Sequence, residues 1–104
     1  MINHMVILKF QPQFAESDID AVANQLGNLK EIIPAIKSFS FGKNISPEQL
    51  NKGFTHAFIM TFDDSKGRDL YLEHPEHIRI ATELLIPMLE NALDSVVVLD
   101  FEDA

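Results

Sequence analysis

The chain of 104 residues has no cysteine and no tryptophan, and it has a single tyrosine. Without cysteine it can form neither a disulfide framework nor a thiolate metal site, which is typical of proteins that work in the cytoplasm. Its longest apolar runs, Met5–Leu8 and Val96–Leu99, are far too short to cross a bilayer, and no signal-peptide pattern opens the sequence. We therefore expect a soluble, cytoplasmic protein.

Positive charge is also scarce. Lys and Arg number 8 against 16 Asp and Glu, so the formal net charge is −8. A surface of this sign repels nucleic-acid phosphates and anionic lipids, and we expect neither nucleic acid nor membrane as a partner. Hydrophobic residues make up 46% of the sequence, enough for a folded core, and the length fits a single domain over residues 1–104.

Hydrophobic periodicity predicts four strands. Alternating or continuous apolar side chains mark them at residues 4–10, 36–43, 54–62 and 94–101. The last strand is apolar on both faces, so we expect it to be covered on both sides. In the loop between the second and third strands, Ser46 followed by Pro47 predicts one helical turn.

Spacings of three and four residues between apolar side chains predict helices in the remaining chain. The first helix is expected to begin with Ser17 as its N-cap and to end at Pro34. A second helical region follows the polar stretch at 63–65, which can cap it, and is expected to continue to about Ala92, divided by Pro75 and Pro87.

The resulting order is strand, helix, strand, strand, helix, strand. This order predicts an α+β fold of the ferredoxin-like βαββαβ type, in which helices cover one face of a four-stranded antiparallel sheet. The other face would expose Met5, Ile7 and Ile59 with part of the last strand, a larger apolar patch than a soluble monomer usually shows. We therefore expect a homodimer in which two open sheet faces meet and form a barrel.

The four histidines and the single tyrosine are the residues best suited to catalysis. Strand alternation puts two of the histidines on the helix-covered face, and the other three residues lie in the covering layer: His4, His56, Tyr71, His74 and His77. All of them can meet in one pocket between sheet and helices. There an imidazole suits proton abstraction, and a phenol suits hydrogen bonding to a developing enolate.

Metal binding is a second interpretation of the same residues. His74 and His77 have helical ligand spacing, and His56 or His4 could complete a three-histidine site. Against this, Pro75 disturbs the geometry and no Asp or Glu has an obvious place among the histidines. We expect no bound metal and no cofactor, since the sequence also lacks a glycine-rich phosphate loop and a dinucleotide fingerprint.

A purely structural role is the third interpretation. A histidine on an apolar strand face is commonly a hydrogen-bonded core residue, and the stripe formed by Phe54, Phe58 and Phe62 is typical of plain core packing. The acidic residues of the last strand and tail are expected to be a solvated end: Asp100, Glu102 and Asp103.

Several strings of the sequence resemble the stress-responsive dimeric α/β-barrel family. The most specific is Tyr71-Leu-Glu-His-Pro-Glu-His77, which is similar to the family's Tyr-x-x-His-Pro-x-His signature. The opening run from His4 to Phe10 and the closing Val98-Leu-Asp-Phe101 also resemble it, and the similarity runs along essentially the whole chain. The resemblance implies a ferredoxin-like subunit and a homodimer whose sheets form a barrel.

The resemblance also implies roles for particular residues. The family includes a plant polyketide cyclase that performs an intramolecular aldol condensation; His77 corresponds to its general base and Tyr71 to the phenol that positions and polarises the substrate. By the same resemblance His4 and His56 correspond to other polar pocket residues, and we take Phe58 and His74 with them as candidates for substrate binding.

Function is expected to vary more than fold within such a family. Val22, Ala23 and Leu26 stand where the cyclase has aromatic side chains, so its substrate cannot be transferred to this chain. One hypothesis is a cyclase-like or lyase-type enzyme that uses general-base catalysis on a small, apolar carbonyl compound. The alternative is a non-catalytic homodimer that is associated with stress or binds a small ligand.

Overall fold

A four-stranded antiparallel sheet with helices on one face makes up the fold, in a computed structural model that describes residues 1–103. The strands are β1 (Ile2–Leu8), β2 (Ser38–Lys43), β3 (His56–Phe62) and β4 (Val96–Glu102). They lie in the order β2-β3-β1-β4, and every neighbouring pair is antiparallel. This confirms the ferredoxin-like topology expected from the order of the elements.

Three α-helices and several short turns form the covering layer. The helices are α1 (Glu16–Gly27), α2 (Ser65–Glu73) and α3 (Pro75–Arg79). A 3₁₀ turn at Asn28–Glu31 extends α1, and α3 continues into a π-helical turn at Ile80–Leu85, followed by 3₁₀ turns at Ile86–Met88 and Ala92–Ser95. In the part of the chain that the structure describes, no helix is long and apolar enough to cross a membrane.

The start of α1 differs from the prediction. The N-cap is Ala15 rather than Ser17, and the Asp18 carboxylate accepts a hydrogen bond from the Ala15 amide at 3.1 Å. In a capping box, the side chain of the N-cap residue accepts from the amide of the third helical residue. Here the Ala15 carbonyl accepts from the Asp18 amide instead. An acidic side chain in the first turn thus supports the helix start without a polar cap residue.

The end of α1 also differs, because helical structure stops at Glu31 rather than continuing to Pro34. Gly27, the last residue of α1, lies against the Phe39 ring of β2, where an added Cβ would come within 3.0 Å of a ring carbon. Glycine therefore lets the end of α1 approach the sheet closely at this point.

The helical turn predicted at Ser46-Pro47 is wrong. The Asn44 side-chain oxygen accepts from the Ser46 amide at 3.1 Å, and the Ser46 hydroxyl accepts from the Glu48 amide at 3.3 Å. Local side-chain bonds of this kind compete with helix formation. Gln49 then adopts a positive φ of 59°, which breaks any helix at that residue.

One chain alone does not cover the last strand on both sides, so that expectation depends on a second copy of the chain. β4 lies at the edge of the sheet, where Val96 packs against the core and the side chain of Asp100 is bonded by Arg68 of α2. Val97, Leu99 and Phe101 on the open face, and Val98 on the helix side, remain exposed in this chain. An edge strand with apolar residues on both faces is an unusual surface for a protein that stays alone.

The core lies between the helices and the covered face of β1 and β3. Along both strands buried residues alternate with half-buried ones, as the period of two requires. The buried positions of β1 include Val6 and Leu8, which meet Val22 and Leu26 of α1 in one apolar cluster. His4 and His56 occupy buried positions on this same face, as the alternation predicts.

The cap of α2 provides a test of the local structure. Asp64 is the N-cap, and its carboxylate accepts from the Gly67 amide at 3.0 Å. Because Asp64→Ala removes this partner, we expect the free energy of unfolding in urea to fall by about 1 kcal/mol. Asp63→Ala is the control, since Asp63 forms only an exposed ion pair with Lys37, and should cost less than about 0.5 kcal/mol. Equal losses in the two variants would contradict the capping role.

Candidate active site

A cavity of about 250 Å³ lies between the sheet and the helical layer, next to β4. Most of its wall is apolar and comes from α1, the π-helical turn and β4, with Leu26, Leu85 and Val96 among the lining residues. Its polar lining residues are His4, Tyr71, His77 and Asp100. A mostly apolar cavity with a few convergent polar groups is typical of a site for a small molecule.

The structure brings four of the six predicted site residues together in this cavity. They are His4, Phe58, Tyr71 and His77. The ring centroids of Tyr71 and His77 are 4.3 Å apart, and those of His4 and Tyr71 are 5.8 Å apart. Phe58 lies edge-on to His4 at 6.3 Å. Both imidazoles therefore lie against the only phenol of the chain.

His77 is held in one tautomer by the backbone. Its Nδ1 lies 3.1 Å from the carbonyl oxygen of Leu72. Since a carbonyl can only accept, Nδ1 carries the proton, and Nε2 of the neutral ring keeps its free lone pair. Burial lowers the pKa of His77 below its ordinary 6.5, an effect larger than the opposing one of the Leu72 hydrogen bond. Near pH 7 the ring is therefore neutral, as a general base must be.

Tyr71 is a neutral hydrogen-bond donor. The residue is 1% exposed, and burial raises the pKa of its phenol far above the ordinary 10.0. Tyr71 is among the residues that line the cavity. Its neutral phenol has one O–H proton to donate.

His4 is fixed by the carboxylate of Asp100, which was expected to be solvated. Its Nδ1 donates to Oδ1 of Asp100 at 2.7 Å, and Oδ2 of Asp100 accepts from Nη1 of Arg68 at 3.2 Å. His4 is 3% exposed, and Asp100 is its direct partner in the β1–β4 register. The expectations of a solvated Asp100 and of histidines without nearby carboxylates are therefore wrong. Alternation could have placed Asp100 on the same face as His4, but their direct pairing depends on the register of β1 and β4.

His56 lies outside the cavity, although it is buried. Its Nε2 donates to the Glu16 carboxylate at 3.0 Å, and its Nδ1 lies 2.7 Å from the Thr55 hydroxyl. Its ring stacks on Phe41 and meets the edge of Phe10. The bond to His56 is the main reason that the pKa of Glu16 is lowered. His56 therefore connects β3 to the start of α1, and it borders the larger hollow described below rather than the cavity with Tyr71.

His74 also lies outside the cavity. It is the N-cap of α3, and its Nδ1 accepts from the Glu76 amide at 3.1 Å. With His56 and His74 engaged elsewhere, the three-histidine metal site considered from the sequence does not form. Across residues 1–103 no three His, Cys, Asp or Glu side chains are grouped as metal ligands would be.

A second hollow, of about 600 Å³, lies on the open face of the sheet. It is bounded by Met5, Ile7 and Ile59 of the sheet and by Leu50 and Phe54 of the loop after β2. The histidine and tyrosine side chains of the smaller cavity lie on the opposite face. This hollow is a broad, mainly apolar surface, with His56, Lys43 and Lys52 among its lining residues.

Comparison with known sequences agrees with the fold. Residues 2–103 match the family model of the Stress responsive A/B Barrel Domain. The chain is 31% identical over 101 residues to the Arabidopsis thaliana protein HS1, a stress-response A/B barrel domain-containing protein, which covers 97% of this chain and 88% of HS1. It is 30% identical over 77 residues to olivetolic acid cyclase of Cannabis sativa, which covers 74% of this chain and 76% of the cyclase.

Solved structures lead to the same conclusion. A dimeric ferredoxin-like protein of unknown function from Jannaschia sp. CCS1 superposes with a TM-score of 0.87 at 28% identity, over 98% of both chains. Hydroxynitrile lyase from Passiflora edulis superposes with a TM-score of 0.85 at 28% identity, over 99% of this chain and 93% of the lyase. Since fold and sequence agree along the described residues, the chain belongs to the stress-responsive A/B barrel domain family, as the resemblance implied.

Proposed function

We propose that this chain is an enzyme that takes a proton from the carbon next to a carbonyl group in a small, largely apolar compound. The observation that carries the proposal is the pairing of His77, whose Nε2 is free, with the neutral phenol of Tyr71 in an apolar cavity. A base and a hydrogen-bond donor placed side by side are the two groups that enolisation needs.

The proposed step is an enolisation. Nε2 of His77 takes the proton from the α-carbon, the electron pair of the broken C–H bond forms the enolate, and the Tyr71 hydroxyl donates a hydrogen bond to the enolate oxygen. The enolate carbon can then attack the carbon of a second carbonyl group in the same molecule, as in an aldol-type cyclisation. The C=O π bond opens to an alkoxide, which takes back the proton held on Nε2 of His77. His4, held by Asp100, offers its remaining nitrogen at the same end of the cavity.

Two relatives support an enzyme of this kind. One is named a cyclase and the other a lyase, and each is about as similar to this chain as the other. The alternative, a non-catalytic homodimer that binds a small ligand, is favoured by the apolar lining of the cavity. Burial of apolar ligand surface is sufficient for binding without any chemistry.

The proposal includes a homodimer formed through the open face of the sheet. In one chain this face exposes Val97, Leu99 and Phe101 of β4 beside half-buried Met5 and Ile59. Covering such a surface is the usual reason for a symmetric dimer, and the structural relative from Jannaschia sp. CCS1 is described as dimeric.

The first prediction concerns the titration of His77. Because burial lowers its pKa, we expect its NMR titration midpoint to lie below 6.5, with a protonated Nδ1 at pH 7. The unfolded chain then binds more protons than the folded chain below pH 6.5, so this group makes stability fall as the pH decreases. The signal is assigned with His77→Gln. A midpoint at or above 6.5 would remove the argument for a neutral base.

The second prediction concerns proton abstraction itself, with acetophenone as the probe. We expect the protein to catalyse exchange of the methyl protons of acetophenone with D₂O, followed by NMR. His77→Gln should lower the catalysed rate by at least about 100-fold because the base is lost. Tyr71→Phe should lower it by about 100-fold because a donor to the enolate is lost.

Arg79→Gln is the control for this experiment, since Arg79 lies on the same helix as His77 but forms only an ion pair with Glu76. It should exchange acetophenone at the wild-type rate. Saturable binding of acetophenone without catalysed exchange would overturn the enzymatic proposal in favour of the ligand-binding alternative.

The third prediction concerns the dimer. Ile59→Asp places a carboxylate in the open face, and burying it against a second copy would cost several kcal/mol. We expect the wild type to sediment as a dimer and Ile59→Asp as a monomer of 11.8 kDa with unchanged circular dichroism. A monomeric wild type at micromolar concentration would contradict the homodimer.

A further inference from the structure

We propose that the second copy of the chain completes the cavity, so that dimerisation and ligand binding in the cavity strengthen each other through β4. The inference rests on the homodimer proposed above, and it goes beyond that proposal because it makes the site of one subunit depend on its partner.

β4 belongs to both surfaces at once. Its side chains alternate between the two faces of the sheet. On the open face, Val97 is paired with Ile7 of β1 and Leu99 with Met5. Val98 and Asp100, the alternate residues of β4, line the cavity on the other face. A partner that holds one face of this strand therefore holds the wall of the cavity as well.

The rim of the cavity is incomplete in one chain. Val98 lines the cavity and is still 56% exposed, and Leu93 and Leu72, which also line it, are 68% and 38% exposed. These three side chains form an apolar rim at the uncovered edge of the sheet. Apolar rims left open to water are weak binding walls, because a ligand seated there stays partly hydrated.

The occupant that fits this edge is a second copy of the chain. The rim is continuous with the open face through β4, whose residues alternate between the two surfaces. In the proposed dimer, the second sheet lies on the open face and reaches the exposed edge of β4. Pairing or covering that edge also removes a row of unpaired backbone groups.

The polar end of the cavity depends on the same strand. Asp100 of β4 receives the Nδ1–H of His4 at 2.7 Å, so the position of β4 sets the orientation of that imidazole. Asp100 is in turn held by Arg68 of α2 at 3.2 Å. Fixing β4 by dimerisation thus fixes the apolar rim and the His4–Asp100 pair together.

The coupling must be reciprocal. If dimerisation strengthens ligand binding by a given factor, the ligand strengthens dimerisation by the same factor, because both belong to one thermodynamic cycle. Couplings between sites in one protein are commonly about 5- to 150-fold. We expect a factor on the order of 10 here.

The test uses two variants that match each other closely. Leu99 and Leu70 are 59% and 62% exposed, and each is next in sequence to a cavity residue, but Leu99 lies on the open face and Leu70 lies on α2. Leu99→Asp should be monomeric and Leu70→Asp dimeric by sedimentation. The dissociation constant of acetophenone, measured by NMR, should rise about 10-fold in Leu99→Asp and stay at the wild-type value in Leu70→Asp.

A second measurement, the titration midpoint of His77, needs no ligand. Burial within one chain already lowers the pKa of His77, and a partner that covers the rim adds to this burial. The titration midpoint should therefore lie lower in the dimeric wild type and in Leu70→Asp than in the monomeric Leu99→Asp. If acetophenone does not bind the wild type, this midpoint tests the coupling between dimerisation and the cavity. Ile59→Asp, on β3 and outside the cavity lining, should reproduce both effects, and it replaces Leu99→Asp if that variant does not fold.

The outcomes separate the two proposals. A folded, monomeric Leu99→Asp whose acetophenone affinity and His77 midpoint equal those of the wild type would overturn the coupling and leave the homodimer standing. A wild type that is itself monomeric, or a Leu99→Asp that stays dimeric through another surface, would overturn the open-face homodimer and the coupling with it.

Discussion

The rest of the structure depends on a buried imidazole that needs a hydrogen-bond partner. His4 lies on the covered face of the central strand, where water cannot satisfy its ring, and Asp100 of β4 meets that need. The pair also favours the observed register of the first and last strands, since a slip of one residue would send Asp100 to the open face. One hydrogen bond therefore ties the topology of the sheet to the polar end of the cavity.

The apolar cavity in turn determines what its two best-placed groups can do. Burial keeps the phenol of Tyr71 protonated and His77 neutral, since it raises the pKa of the first and lowers that of the second. The same low polarity thus acts on an acid and a base in opposite directions and leaves each in its useful form. For His77, the Leu72 carbonyl selects the tautomer and partly opposes the effect of burial on the pKa.

Much of the fold and part of the site could be predicted from the sequence. Period-two and helical spacings gave the order of elements, and alternation placed His4 and His56 on the covered face. Whether a buried histidine faces a ligand depends on which neighbour bonds its nitrogens, and that neighbour is 40 residues away for His56. The same holds for Asp100, whose partner lies 96 residues earlier in the chain. Local pattern carries no information at such distances, because strand register decides the contact.

The π-helical turn at Ile80–Leu85 has a consequence for how relatives of one fold come to differ. Such a turn accommodates one residue more than an α-helical turn, and it supplies Ala81 and Leu85 to the wall of the cavity. Loss or gain of a single residue there would rotate every later side chain of the segment around the axis while the sheet stayed as it is. Insertion or deletion of one residue can thus remodel the cavity wall. This offers an evolutionary route from one ligand to another that leaves the sheet and the open face unchanged.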